Sequence, residues 1–308
     1  RSHCQGADGA RRRAGVRARS RDSRSSQVPL MALTDLQMRI MRRLASNRSE
    51  TSYLAGGVIL NLKWPRRSDD IDIFHDTDES VSVAALKDIA DLESGGFRVS
   101  VDVKSYGLFE ATVSDEVSST TIQWMSETKL RFFPLVTDEQ WGLRLHQSDL
   151  AVNKVLAAAS RRKARDFADI VAISENMCPL GPLVMAAAGK PPSFSPQKIV
   201  EQIRWHAQSI PDDEYMAVKG LPEAWTPQFI RSTITRQADL AESYLLQAPL
   251  EVVGVLAVNA EAMPVEVTAE GLASAILRNA TNEPDVMPQP AEFETATWDK
   301  SETGGNAG

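Results

Sequence analysis

Two carboxylates set two residues apart give the first chemical lead. In Arg66-Arg67-Ser68-Asp69-Asp70-Ile71-Asp72-Ile73-Phe74, Asp70 and Asp72 flank an isoleucine on a segment that reads as a strand. Side chains alternate faces along a strand, so both carboxylates point one way and Ile71 and Ile73 point into a core. Carboxylates rooted ~6–7 Å apart converge on hard cations such as Mg²⁺. Two such cations ~3.5–4 Å apart clamp a transferring phosphoryl or nucleotidyl group. Taken alone, Asp-x-Asp equally describes an acidic, solvated strand face. Upstream, Gly56-Gly57 sits between a short strand, Ser52–Ala55, and a short helix, Val58–Trp64. Without Cβ atoms the backbone there can approach a triphosphate, and a helix N-terminus supplies N–H donors. Arg66 and Ser68 lie within reach of the same phosphate oxygens. In isolation these features read as a turn and a surface charge patch. If the pair holds a metal, Asp72→Asn is expected to abolish Mg²⁺-dependent NTP binding while leaving the melting temperature nearly unchanged.

A second block lies about 80 residues on: Asp149-Leu150-Ala151-Val152-Asn153-Lys154-Val155-Leu156-Ala157, then Arg161 and Arg165-Asp166-Phe167-Ala168-Asp169. Lys154, Arg161 and Arg165 recur at near-helical spacing, with Arg161 and Arg165 an i,i+4 pair. Such a cationic stripe neutralises triphosphate charge opposite bound metal. Asp166 and Asp169 are i,i+3 neighbours on one face. The competing reading is an amphipathic helix pair with solvent-facing ion pairs.

Together, the two blocks resemble the polymerase-β-like nucleotidyltransferases, and most closely the AbiEii-type, abortive-infection and toxin-like branch. The likeness rests on Gly56-Gly57, Arg66-x-Ser68-x-Asp70-Ile71-Asp72, the Lys154 motif and Arg165-Asp166-x-x-Asp169, and covers residues 34–178. It implies transfer of an NMP from an NTP to an acceptor hydroxyl, on a tRNA end or a protein, with release of pyrophosphate. Asp70 and Asp72 would hold Mg²⁺ in a two-metal site. Gly56, Gly57, Arg66, Ser68 and Lys154 would bind the nucleotide, Lys154 also serving catalysis. Asp166 and Asp169 would belong to the nucleotide site or brace it. A toxin-like enzyme further implies a cognate antitoxin. One departure stands out: the family places a third carboxylate on a later strand, where this chain has Gln123, and Asp102 and Glu110 are the possible substitutes. Two other readings follow: nucleotidyl transfer to a small molecule such as an aminoglycoside, which suits an acidic body, and a degenerate nucleotide-binding or regulatory module. A basic groove in residues 196–247, drawn from Lys198, Arg204, Lys219, Arg231 and Arg236, would favour tRNA.

The elements that must position these residues follow from pattern. Thr34-Asp35-Leu36-Gln37 has capping-box spacing, and Leu36, Ile40 and Leu44 recur at helical steps, predicting a helix over 34–46. Strands are predicted at Asp70–Phe74, Phe97–Val103, Leu108–Ser114, Thr120–Trp124 and Leu130–Leu135, and helices at 80–93 and from Asp149 to about Asn176. Gly181–Ser195 reads as a linker, and residues 196–278 as mostly helical, notably 196–208 and 227–247. The order predicts an α+β fold: a polymerase-β-like core, its sheet mixed and mostly antiparallel with helices on one side, plus a helical C-terminal region. The expected divisions are 1–30, a disordered basic segment; 31–178, the nucleotidyltransferase domain; 179–280, a helical domain; and 281–308, a disordered acidic tail.

Composition bounds the rest. The 308 residues carry a net charge of −7, divided as +6 over residues 1–30 (eight Arg against Asp8 and Asp22) and therefore −13 beyond them. With 43% apolar residues and six Trp, a sizeable core can form, which excludes a wholly disordered chain. No apolar run reaches the ~18–20 residues of a membrane span. Cys4 and Cys178 cannot build a disulfide framework or a cysteine zinc site. A bacterial cytoplasmic protein is expected, with Met31 the natural start and residues 1–30 upstream sequence. His75, His146 and His206 read as surface or packing residues, His75 in an exposed turn.

Overall fold

The fold is described from a computed structural model for residues 33–283. The basic segment 1–30, Cys4, and the acidic tail beyond residue 283 lie outside the described residues.

Helix α1 (Asp35–Leu44) starts at the capping box its sequence predicts. Thr34 Oγ1 accepts from the Gln37 N–H at 3.1 Å, and Gln37 Oε1 accepts from the Thr34 N–H at 3.0 Å. The other end of the Gln37 amide donates to the Ser68 carbonyl at 2.9 Å. One side chain thus caps a helix and ties it to the loop entering the carboxylate strand.

Strands β1 (Ser52–Ala55), β2 (Asp70–His75), β3 (Arg98–Ser105), β4 (Leu108–Ser114), β5 (Ser119–Ser126), β6 (Val136–Asp138) and β7 (Gly142–Arg144) form one sheet in the order β3-β4-β5-β2-β1-β7-β6. Only β2–β5 and β1–β7 pair in parallel, so the sheet is mixed and mostly antiparallel, and the fold is α+β. Its two faces differ. Ile71, Ile73, Ile122 and Trp124 are fully buried on one face. There α3 (Asp78–Ser94) presents Val81, Ala85, Ile89 and Leu92 at helical spacing, and Asp88 accepts from the Trp124 indole at 2.8 Å. The other face carries Asp70 and Asp72. It looks across a cavity to α4 (Gln147–Ser160) and is edged by the single-turn α2 (Gly56–Leu60).

Beyond α4 come α5 (Ala164–Asn176), α6 (Leu180–Ala187), α7 (Pro196–Ser209), α8 (Asp212–Met216), α9 (Pro227–Leu245) and an antiparallel pair, β8 (Val255–Val258) and β9 (Ile276–Asn279). Several expectations are corrected. Gly181–Ser195 does not form a linker. Leu180–Ala187 is a buried helix because its residues are almost all apolar, with Pro182 in the first turn, where a missing N–H costs little. Gly181 is needed for packing, since a Cβ there would lie 2.6 Å from the Tyr244 ring. Leu130–Leu135 is not a strand. The Asp149 carboxylate takes the N–H groups of Phe132 and Phe133, at 2.9 and 3.0 Å, leaving only an isolated bridge from Arg131 to Thr281. The helical reading of 196–278 fails beyond Leu245, where β8 and β9 form instead. The expected boundary near residue 178 crosses one continuous hydrophobic core that runs from Leu33 to Val258.

Candidate active site

β2 places the carboxylates as strand alternation requires, with Asp70 buried and Asp72 half-buried on the cavity face. Gly56 and Gly57 lie at the turn out of β1, against the same strand. Gly56 has φ +68°, and a Cβ there would fall 1.6 Å from Asp72 Oδ2; a Cβ on Gly57 would fall 2.2 Å from an Arg66 guanidinium nitrogen. Both positions therefore exclude a side chain. The Gly57 N–H donates to the Asp72 carboxylate, so the glycine pair seats the carboxylate strand before it can serve a phosphate.

Asp70 is held from two sides. Ser68 Oγ donates to its Oδ1 at 2.9 Å, and Arg165 Nη1 donates to its Oδ2 at 2.9 Å. Burial pushes its pKa up, but Arg165, the Ser68 hydroxyl and Lys154 outweigh burial and hold it below the ordinary carboxylate value. Asp72 moves the other way, to about 6, because burial and the negative charge of Asp70 outweigh Lys154 and Arg165. Asp70 is neutralised by Arg165, whose guanidinium occupies one oxygen where a cation would bind, while Asp72 is left short of positive charge. Mg²⁺ commonly uses one or two protein carboxylates and completes its shell with water and substrate phosphates, so the donor set fits that ion. Among the described residues no cluster of three or more His, Cys, Asp and Glu is arranged to hold a metal by protein ligands alone.

The opposite wall is cationic. Lys154, on the cavity face of α4, lies 2.9 Å from Asp169 Oδ2 and 3.4 Å from Asp166 Oδ1. Burial disfavours its charge, but Asp169 and Asp166 more than compensate, and the ammonium is retained. Arg66 forks onto Asp169 through Nε and Nη2, and Asn61 donates to the same carboxylate at 2.9 Å. Arg161 forks onto Asp166 at 2.8 and 3.1 Å. Asp166 and Asp169 are fully buried and do not line the cavity. They stand behind it and hold Arg66, Lys154 and Arg161, the bracing position that is one of the two expected for them. The stripe of three cations is also not one helix face. The backbone is extended at Arg161, which ends α4, and Arg165 opens α5. Both arginines still line the cavity.

No acid stands at the third position. Gln123 lies opposite Asp72 on β5, lines the cavity, and donates its amide to Glu110 on β4. Asp102 lies on the edge strand β3 and accepts from Thr112, away from the cavity. Glu127 does line it. It continues the alternation Gln123, Met125, Glu127, a signal the spacing carried and the motif reading passed over. Asn153 was overlooked likewise, one position before Lys154. His75 ends β2 fully buried, which corrects the exposed turn: burial first, and then Arg48, depress its pKa to about 4 and keep it neutral. His146 stacks on Phe133, with ring centroids 4.0 Å apart. Among the described residues no helix is long and apolar enough to cross a membrane.

The cavity lined by these residues has a volume of about 180 Å³ and opens to solvent. No family model and no curated protein matches the sequence. Among solved structures, an H. pylori protein assigned as a nucleotidyltransferase is 14% identical at a TM-score of 0.44, covering 70% of this chain and 98% of its own. MenT4, a nucleotidyltransferase toxin of Mycobacterium tuberculosis, is 13% identical at a TM-score of 0.45, covering 70% of this chain and 88% of its own.

Proposed function

We propose that this chain is a Mg²⁺-dependent nucleotidyltransferase that moves an NMP from an NTP to an acceptor hydroxyl. One observation carries the reading: the carboxylates Asp70 and Asp72, the second of them short of positive charge, share a single cavity with the cations Lys154, Arg161 and Arg165, the last of which already pairs with Asp70. An anionic triphosphate matches the cationic wall, and Asp70 and Asp72 would hold Mg²⁺, which would supply charge neutralisation to the phosphates. The acceptor hydroxyl oxygen forms a bond to the α-phosphorus and gives up its proton to solvent, as the bond from the α-phosphorus to the α–β bridging oxygen breaks and pyrophosphate leaves with that electron pair. In such a transfer, rate comes from alignment and charge neutralisation. Lys154 and Arg161 are pre-oriented by buried Asp169 and Asp166, so little reorganisation is needed when phosphate charge arrives. Arg165 lines the cavity while paired with Asp70, so its remaining guanidinium N–H groups can also meet a phosphate oxygen.

The acceptor that best fits is not a nucleic acid. Of the five cations that would build an RNA groove, Lys198 is exposed without an ion pair among the described residues, but Arg204 pairs with Asp239 and Glu242, Arg231 with Asp212, Arg236 with Glu175 and Lys219 with Asp69, all at 2.6–3.0 Å. Cations already neutralised displace few counterions from a phosphate backbone. A protein or small-molecule hydroxyl is favoured. The test is incubation with Mg²⁺ and each α-labelled NTP against pools of RNA, protein and cationic small molecules. Label should enter the protein or small-molecule pool and vanish in Asp70→Ala and Asp72→Ala. Label in no pool sinks the enzyme reading, and label in RNA alone sinks the acceptor assignment.

A further inference from the structure

The cavity has two chemically different ends. At one, Arg165 and Ser68 both hold Asp70, and Arg161 lines the same cavity. Phe74 is four residues further along β2, ~13 Å away, and pairs with Met125 of β5. Leu150 is three turns back from Arg161 along α4, ~16 Å. Phe74, Met125 and Leu150 therefore give the far end an apolar lining, with the Glu127 carboxylate beside it, an end suited to a flat ring bearing polar edges rather than to phosphate.

Asn153 is the polar group of α4 at that end, and it is not free to turn. Lys190 Nζ lies 2.8 Å from Asn153 Oδ1. An ammonium only donates, so the amide oxygen must face Lys190 and the Nδ2 group must face away from it. Nδ2 has no hydrogen-bond partner among the described residues and is not sealed off in the interior. Lys190 follows α6 and has a side chain only 6% exposed, with the Asp149 carboxylate 3.6 Å away and the Phe132 ring beneath it. A donor locked in place beside an apolar lining, with its hydrogens unspent, is an arrangement for recognition.

We propose that Asn153 reads the nucleobase of the bound NTP, its Nδ2 donating to an acceptor atom of the base, and that buried Lys190 is the positioning residue that fixes this donor. The inference rests on the nucleotidyltransferase reading and deepens it. It also gives the second half of the chain a part in substrate choice, since Lys190 comes from beyond α6.

The test is equilibrium binding, with Mg²⁺, of each of the four NTPs and of inorganic tripolyphosphate. The proteins are the full-length wild type, Asn153→Asp, Asn153→Leu, Lys190→Met and Lys190→Arg. Wild type should rank the four NTPs unequally. Asn153→Asp puts an acceptor where the donor stood, and should weaken the preferred NTP at least tenfold and disturb the ranking, with tripolyphosphate affinity within twofold of wild type. Lys190→Met should reproduce part of that loss, and Lys190→Arg should restore it, at unchanged tripolyphosphate affinity. Should Lys190→Met fail to fold because it strands Asp149, the Asn153 variants and Lys190→Arg still decide. An unchanged ranking in both Asn153 variants overturns the inference, as does an equal loss for all NTPs and tripolyphosphate. Wild type that binds no NTP removes the nucleotidyltransferase reading along with it. Wild type that ranks NTPs independently of Asn153 removes the inference alone.

Discussion

Replacing Asp72 with Asn should stabilise the metal-free protein. The Asp72 carboxyl titrates near 6 against an ordinary 3.8, because burial and Asp70 oppose its charge. Raised above its unfolded value, the group carries no penalty below pH 4, acquires one between about pH 4 and 6, and carries it in full above that. Two pKa units correspond to about 3 kcal/mol. Asn keeps the shape and loses the charge, but accepts a weaker hydrogen bond from the Gly57 N–H, which returns about 1 kcal/mol. A net gain of about 2 kcal/mol raises Tm by about 4–8 °C for a chain of this size. The assay is thermal unfolding of wild type and Asp72→Asn in chelator at pH 8, 6, 5 and 4. The variant's advantage should be largest at pH 8 and fade towards pH 4. Adding Mg²⁺ and NTP should then reverse the order, stabilising wild type alone. A variant equal to or less stable than wild type at pH 8 would refute the electrostatic account, and so would an advantage independent of pH. As a metal ligand read from sequence, Asp72 is expected to leave Tm nearly unchanged on replacement. The structure instead shows a crowded, half-buried pair.

Three further perturbations test the supports. Gly56→Ala should abolish NTP binding and destabilise by more than Gly96→Ala, because Gly96 shares a positive φ (+86°) but has nothing within 4 Å of its Cβ position; equal losses by urea unfolding would mean that the collision with Asp72 is relieved. Asp169→Asn removes a fully buried charge shared by Arg66 and Lys154, and should cost about 3–5 kcal/mol in the same assay; a loss under about 1 kcal/mol would show that the cations are not locked from behind. Arg165→Gln should raise Mg²⁺ affinity of the nucleotide-free protein several-fold, by calorimetry, while lowering NTP affinity, because it removes the internal cation on Asp70. Unchanged Mg²⁺ affinity would show that Arg165 does not compete for that oxygen.

Local periodicity carried what it could. The capping box at Thr34 and Gln37, the alternation that sets Asp70 and Asp72 on one face, and the glycine pair beside them all rest on neighbours within four residues. The same local reading misjudged segments whose state depends on distant groups. Gly181 and Pro182 looked like punctuation, yet their helix packs against Tyr244 of α9. The segment from Leu130 looked like a strand, yet the Asp149 carboxylate claims its amides.

By itself the sequence determined that two carboxylates share one face and that two glycines precede them, because the period of a strand and the absence of a Cβ are properties of the local chain. Only the tertiary structure decided what those carboxylates feel and what opposes them. Arg165 reaches Asp70 across 95 positions, Arg66 reaches Asp169 across 103, and Lys190 reaches Asn153 from beyond another helix. Coulomb and desolvation energies depend on distance in space and on exclusion of water, and neither is encoded in any short stretch of residues.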